Sequence, residues 1–152
     1  MTIHLEVEGL DELREKFKEA PDRFANAITK ATEGSLLVLN ENVPPYPEAN
    51  PDSTYVRTGT LGRTLGSSFG GGASGGQPDI YTVRQMGSEV VGEFGTNLEY
   101  APYVIGEMEQ VHQHQGRWWT IKTIAERATE KITRVFQIAA EELAKWLDAN
   151  GR

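Results

Sequence analysis

Residues 120–150 read TIKTIAERATEKITRVFQIAAEELAKWLDAN, and the choice of fold depends first on this stretch. Apolar side chains recur in it at three- and four-residue intervals, as on one face of an α-helix, and Gly151 follows as a terminator. A helix of about 30 residues is roughly 45 Å long, which is more than a small core needs. We therefore predict a long C-terminal helix, with part of its apolar stripe packed on a neighbouring chain. The stripe comprises Ile121, Ile124, Ala128, Ile132, Val135, Phe136, Ala139, Leu143 and Leu147.

The N-terminal part of the chain predicts a strand followed by helix. Residues 3–7 alternate between apolar and polar side chains, as in a half-buried strand, and Gly9 ends this run. Apolar residues then recur at helical spacing over residues 10–38. Pro21 suits either the first turn of a second helix or a kink in one longer helix, and Pro44 stops the helical pattern.

The middle of the chain predicts a sheet. Residues 80–86 and 89–94 are rich in β-forming side chains and are joined at Gly87 and Ser88, as in a hairpin. Residues 100–105 can add another strand or an edge. The expected fold is therefore α+β, with an antiparallel sheet of about four strands packed against an N-terminal helix and the long C-terminal helix.

Two segments of unusual composition lie within the single domain that we expect over residues 1–152. The segment at about 44–55 is rich in proline, and the segment at about 66–78 is rich in glycine and serine. Neither composition favours regular structure, and the glycine-rich segment buries too little surface to offset its ordering entropy. We expect both segments to be flexible loops.

The composition excludes several classes of protein. A formal net charge of −7 and a pI near 5.0 argue against tight binding to nucleic acid, although an acidic channel could let DNA pass without holding it. The chain has no cysteine, which excludes disulfides and thiolate sites. No run approaches the roughly 18 to 20 apolar residues of a membrane span, and the N-terminus does not match a secretory signal. We expect a soluble protein that folds in the cytoplasm.

An aromatic cluster without an accompanying acid, base or metal-binding set precedes the C-terminal helix. Residues 95–119 contain Tyr100, Tyr103, Trp118 and Trp119, together with a proline and several glycines. Tyr and Trp combine a large apolar area with a hydrogen-bonding tip, so they suit both a domain core and a subunit interface. The residues alone leave both interpretations open.

Two catalytic motifs are matched inside the glycine-rich segment. Gly70, Gly72 and Gly75 fit G-x-G-x-x-G, and residues 72–76 fit G-x-S-x-G. The first motif requires a strand before it and a helix after it, and the second requires a rigid turn from strand to helix. Flexible polyglycine offers neither, so we predict no catalytic residues, no cofactor and no enzymatic activity.

His112 and His114 form the one credible metal-binding constellation in the sequence. Two residues apart on a strand, both imidazoles would point the same way, and Glu107 or Glu109 could complete a site. This stretch is polar, however, and two histidines there are commonly just solvated. We predict no metal site, with a metal-dependent hydrolase centred on the two histidines as the alternative.

Three features of the chain point to a known family. Residues 57–61, Arg-Thr-Gly-Thr-Leu, form a threonine-glycine-x-leucine turn, and the glycine-rich run 91–97 leads into a tyrosine-alanine centre at 100–104. The third feature is the order of an N-terminal helix, a middle sheet and a long C-terminal helix. In these features the chain resembles the small minor tail or head-to-tail joining proteins of long-tailed bacteriophages, also called tail-completion or neck proteins. Gly62 stands where many of those proteins carry arginine, and Ile105 stands where a glutamate is common.

The resemblance implies an α+β subunit without enzymatic activity that forms a ring, expected to be a hexamer, in the neck or at the head-proximal end of the tail. Its implied partners are copies of itself, neighbouring connector, tail-terminator or tail-tube proteins, and genomic DNA that passes without specific recognition. The implied location is the virion, after assembly in the host cytoplasm and without a membrane. A generic bacterial binding module of similar fold is a further alternative. The residues expected at the assembly interface are Tyr100, Tyr103, Trp118, Trp119, Arg57 and Leu61.

Overall fold

The computed structural model describes residues 1–5, 11–18, 20–49, 51–52, 54, 58–66, 77–86 and 89–150. Over these residues the fold is α+β, with an antiparallel sheet and a long C-terminal helix, as predicted. The elements in chain order are β1 (Thr2–Leu5), α1 (Asp11–Lys16), α2 (Pro21–Glu41), α3 (Thr60–Arg63), β2 (Ile80–Met86), β3 (Glu89–Gly95), α4 (Ala101–Ile105) and α5 (Ile121–Asn150).

The strands form one antiparallel sheet in the order β1-β3-β2. The predicted hairpin is confirmed by the pairing of β2 with β3, although its turn at Gly87 and Ser88 lies outside the described residues. Ile3 and Tyr81 both lie opposite Phe94, so these three residues share one face of the sheet. This face is the one that α2 covers, because Gly92, on the same face as Phe94, lies against Thr32 and Leu36 of α2.

The described sheet has three strands rather than about four, because residues 100–105 do not form a strand. The segment Ala101–Ile105 is helix α4, and Pro102 lies in its first turn, where the missing N–H costs no hydrogen bond. Ala101 N–H donates to Leu98 O (3.0 Å), and Gly106 N–H donates to Pro102 O (2.9 Å). The prediction of a further strand was wrong, since the turn chemistry of proline outweighed the β-forming side chains around it.

Helix α2 is the central helix of the fold, and it contacts β2, β3 and α5. Because α1 ends at Lys16 and Pro21 opens α2, the N-terminal pattern forms two helices rather than one kinked helix. Helix α2 ends at Glu41, shortly before Pro44. Its buried residues are Phe24, Ile28, Ala31, Thr32, Ser35, Leu36 and Leu39.

Helix α5 spans 30 residues, and part of its apolar stripe is buried within the subunit. Ile124 and Ala128 belong to one buried cluster, and Leu143 belongs to a second cluster with Phe17. The rings of Phe17 and Trp146 stack with their centroids 5.6 Å apart. Helix α5 therefore bridges two clusters of the subunit's own core, and contact of its stripe with a neighbouring chain stays a prediction.

Gly92 is a point of close approach between the sheet and α2. A Cβ atom there would lie 2.8 Å from Thr32 Cγ2 and 3.2 Å from Leu36 Cδ2, and both of these side chains are fully buried. We expect Gly92→Ala to lower the free energy of unfolding by about 1 to 3 kcal/mol, because a packed core does not accept an extra methyl group without shifts. Urea denaturation measures this loss.

Gly34→Ala, inside α2, is the matched control for Gly92→Ala. Its Cβ would lie 3.5 Å from Val135 Cγ1, which is an ordinary van der Waals contact. Alanine in a helix interior is favoured over glycine by up to about 1 kcal/mol, so this variant should be at least as stable as the wild type. Equal stability of the two variants would contradict the close packing at Gly92.

The sheet face turned away from α2 carries a polar cluster around Glu93. The carboxylate of Glu93 accepts hydrogen bonds from Arg84 and from Thr82 Oγ1 (3.1 Å), and His4 Nδ1 lies 3.9 Å from it. The hydrogen bond from Arg84 above all, and then that from Thr82, hold the pKa of Glu93 below its ordinary value.

This lowered pKa predicts how stability depends on pH. A carboxyl group whose pKa is depressed on folding stabilises the folded state above the unfolded-state pKa, and the contribution is lost as pH falls through the folded-state pKa. We expect Glu93→Gln to lower the melting temperature near neutral pH, and the difference from the wild type to vanish in acid. Circular dichroism melts over this pH range measure it, and a difference that persists in acid would assign the effect to packing.

Candidate functional site

Three of the four aromatic residues predicted for the interface surround an open pocket of about 660 Å³. Tyr100 and Tyr103 line it from the start of α4, Trp118 from the loop before α5, and Tyr46 from the proline-rich segment. We term this site the tyrosine pocket. Its other described lining residues are Ala49, Thr58, Gly59, Thr60, Leu61, Val104, Val111, Gln113, His114 and Arg117.

Helix α4 turns its tyrosines away from the core. Ala101 and Ile105 are fully buried, whereas Tyr100 and Tyr103 are 43% and 56% exposed. On a strand, residues three apart would point to opposite faces, but on a helix they lie on the same side. Helix α4, with Pro102 in its first turn, therefore brings the two tyrosines together on one outward surface.

Buried Thr96 anchors the segment that leads into α4. Its Oγ1 lies 2.9 Å from Thr64 Oγ1 and 3.1 Å from Asp79 Oδ2, and it accepts a hydrogen bond from Leu98 N–H (3.2 Å). Asp79 also accepts a hydrogen bond from Asn97 N–H (3.2 Å). One buried hydroxyl group thus connects the end of α3 and the start of β2 to the tyrosine segment, which fixes the position of that segment.

Tyr46 closes one side of the pocket against α3. Its hydroxyl oxygen accepts a hydrogen bond from Gly62 N–H, and its ring meets Trp118 edge-on with the centroids 4.9 Å apart. A Cβ atom at Gly62 would lie 2.8 Å from Tyr46 Cε1, so a larger residue there would displace the tyrosine ring. Close packing against Tyr46 explains why glycine occupies position 62.

Residues just before α5 hold the proline-rich segment. Trp119 Nε1–H donates to Pro45 O (3.0 Å), and Arg117 Nη2 donates to Glu48 O (3.2 Å). Pro44 is buried. In its described part this predicted loop lacks regular secondary structure, and these contacts join it to the aromatic stretch. The predicted glycine-rich loop lies largely outside the described residues.

The six residues predicted for the interface have different surroundings. Leu61 reaches the pocket, but it is only 3% exposed and packs in the core. Trp119 is half-buried against the core, and it does not appear among the described lining residues. Arg57 lies outside the described residues. The remaining three line the pocket: Tyr100, Tyr103 and Trp118.

Tyr46 was missed as a site residue. It lies far from the other aromatic lining residues along the chain, in a segment predicted to be a flexible loop. The sequence offered one indication of its role, which is that Tyr46 is a single aromatic residue among prolines. A tyrosine ring has a large apolar area, which favours packing against another surface.

The histidines do not have the geometry on which the metal alternative was based. Residues 112–117 form consecutive turns rather than a strand, so the two side chains are not held parallel. His114 lines the pocket with its ring centroid 6.0 Å from that of Trp118, and Glu107 forms an ion pair with Lys122 (2.9 Å). Within the residues that the structure describes, no three His, Asp or Glu side chains converge as a metal site would require. The glycine-rich motifs at 70–76 lie outside those residues.

The lining of the pocket determines what it can bind. Aromatic and apolar side chains dominate it, and among the described lining residues Arg117 alone carries a permanent charge. Tyrosine rings with exposed edges and an adjacent arginine are groups that protein partners commonly bind. The pocket can receive apolar side chains of another molecule and hold an acidic group beside Arg117.

None of the helices in the described ranges is both long and apolar enough to cross a membrane. Comparisons with family models, with curated proteins and with solved structures find no match to this chain.

Proposed function

We propose that this protein is a structural subunit of a tailed bacteriophage that forms a ring in the head-tail connector or at the head-proximal end of the tail. The observation that carries the proposal is the exposure of Tyr100 and Tyr103 at an open pocket on an anchored segment. In this role the pocket is a contact with a neighbouring protein, and no bond is made or broken in it. The protein resides in the virion after assembly in the host cytoplasm.

The grouping of exposed apolar residues supports an assembly role. Tyr100 and Tyr103 are both exposed, and both line the tyrosine pocket. Single exposed apolar residues are normal on a protein surface, but grouped ones mark binding sites. Helix α4 already buries its own core residues, so the stability of the isolated subunit does not require its tyrosines to be exposed.

The motifs that resemble tail-completion proteins support the assignment to a phage particle. The turn at 58–61 and the tyrosine segment both line the pocket. Thr96, from the glycine-rich run, connects α3 to that segment through Thr64. Motifs that lie apart in the sequence therefore build one surface, as a shared contact function would require.

The charge of the subunit is compatible with a ring through which DNA passes. The net charge is −7, so the subunit as a whole repels a polyanion rather than gripping it. A ring of such subunits would conduct a duplex without recognising its sequence.

Purified phage particles test this proposal. In the phage that encodes the protein, mass spectrometry of gradient-purified particles should detect it in several copies. Immunogold electron microscopy with an antibody against the purified chain should place it at the junction of head and tail. Deleting its gene should leave DNA-filled heads without stable tails. Particles that lack the protein, or full infectivity after the deletion, would refute the proposal.

A binding module is the second candidate, and the size of the pocket favours it. A volume of about 660 Å³ falls within the roughly 300 to 1,000 Å³ typical of small-molecule sites. Saturable binding of aromatic fragments, followed by shifts in the NMR signals of Tyr103 and Trp118, would favour this candidate if the protein were also absent from particles.

A further inference from the structure

A second exposed apolar surface lies where α2 meets β2, the strand at one edge of the sheet. Leu37 of α2 is 51% exposed, and Tyr81 of β2 is 41% exposed. Glu33 and Glu41 are both exposed and stand one helical turn before and after Leu37, on the same ridge of α2. We term these four residues the edge patch.

The fold explains why the edge patch is exposed. Tyr81 lies on the sheet face that α2 covers, but β2 is an edge strand, so its tyrosine is only partly covered. Leu36 is fully buried against this face, and Leu37, the next residue, turns outward from it. Burial raises the pKa of Tyr81, and the carboxylates of Glu33 and Glu41 raise it further.

We propose that the edge patch of one copy docks into the tyrosine pocket of the next copy, so that a single repeated head-to-tail contact builds the ring. This inference rests on the proposed function, because it names the occupant of the pocket in the assembled ring. A ring of identical subunits requires two different surfaces that fit each other, whereas a surface that binds its own copy closes a dimer. Two surfaces that bind each other around a ring must be separate on the subunit. The edge patch and the tyrosine pocket meet this requirement, because they share no described residue.

The charges of the two surfaces are complementary. The apolar side chains of the edge patch lie between Glu33 and Glu41. The pocket carries Arg117 in its lining, and Arg63 lies beside it, with Nη1 donating to the carbonyl oxygen of the lining residue Thr58 (2.9 Å). Docking would therefore bring two carboxylates toward two guanidinium groups around an apolar centre, which favours this orientation over its alternatives.

The acidic residues near the pocket do not cancel this complementarity. Glu48, whose carbonyl oxygen accepts a hydrogen bond from Arg117, precedes the lining residue Ala49, and Glu99 and Glu107 are close to the tyrosines in sequence, but none of the three belongs to the described lining. Glu107 is already paired with Lys122 (2.9 Å). Arg117 belongs to the described lining, and Arg63 is joined to the lining residue Thr58, so both positive charges lie at or beside the pocket.

Mixing two defective variants tests the head-to-tail contact. Leu37→Lys damages the edge patch and leaves the pocket intact, whereas Tyr103→Ala damages the pocket and leaves the edge patch intact. We expect each variant alone to be a folded monomer at concentrations where the wild type forms larger species. A one-to-one mixture should sediment as a dimer that does not grow, because one intact contact remains between unlike copies. Met86→Ala, on the same strand as Tyr81 but on the other face of the sheet, should assemble like the wild type.

Each other outcome overturns the inference. If Leu37→Lys assembles like the wild type, the edge patch is not part of the contact. If the mixture stays monomeric, the two surfaces do not bind each other. A wild-type chain that stays monomeric up to millimolar concentration also excludes the self-contact. The proposed function is judged separately, by the presence of the protein in purified particles.

Discussion

Replacing Tyr103 by alanine is expected to weaken self-association at least about 30-fold, because truncating a buried interface aromatic costs on the order of 2 kcal/mol or more. The isolated subunit should keep its free energy of unfolding to within about 0.5 kcal/mol, since the side chain is more than half exposed in the monomer. Sedimentation velocity over a concentration series measures the first effect, and urea denaturation measures the second.

Ile138→Ala is the matched control for the Tyr103 variant. Ile138 is 43% exposed, like Tyr100, but it lies on α5 and outside the described lining of the pocket. It should leave self-association unchanged. If Tyr103→Ala leaves the oligomer unchanged and lowers the melting temperature, Tyr103 is a core residue. This result would refute the assembly role of the pocket.

Phe94→Ala should have the largest effect on the subunit itself. Phe94 is fully buried in the middle strand of the sheet, in the cluster that also contains Leu61 and Ile105. Loss of a buried phenylalanine side chain typically costs about 3 to 5 kcal/mol. Since small domains are stable by only about 5 to 15 kcal/mol, this variant should lose a large fraction of the free energy of unfolding.

The Phe94 variant should also lose self-association, because Leu61 and Ile105 position the turn and the helix that line the tyrosine pocket. Urea denaturation followed by circular dichroism measures the stability, with Phe94→Leu as a control that keeps most of the buried volume. A loss below about 1 kcal/mol for Phe94→Ala would mean that the cluster can collapse around the cavity. The two aromatic variants thus separate the proposed interface residue, which should change association alone, from a core residue, which should change both properties.

Much of the fold could be predicted because its signals are local. The interval between apolar residues located α2 and α5, and the β-rich runs located the hairpin of β2 and β3. Pro21 was compatible with either a helix start or a kink, and the structure shows that it opens α2. Each of these patterns depends on backbone geometry and on residues that are close together in the sequence. They can therefore be recognised from the sequence alone.

The segment at 100–105 was assigned wrongly for a physical reason that is visible in its residues. Tyrosine, valine and isoleucine favour strands, but this preference depends on packing and is weak by itself. Pro102 removes a donor that a strand ladder needs and suits the first turn of a helix. The proline therefore decided the local structure, and with it the placement of both tyrosines on one side.

The tyrosine pocket could be predicted only in part. Tyr100, Tyr103 and Trp118 were identifiable as a group because they lie within one short stretch. Tyr46 was not, because its place depends on the hydrogen bond from Gly62 and on the ring of Trp118, and neither residue adjoins it in sequence.

The order of amino acids was sufficient to establish the class of fold, the long C-terminal helix and the aromatic character of the site, since these follow from composition and short-range periodicity. The pairing of β1 with β3, the use of α5 to bridge two core clusters and the exposure of the tyrosines beside Tyr46 emerged only from the folded chain. These features arise from contacts between residues far apart in sequence, and the free energy of such contacts depends on burial and fit that no local pattern encodes.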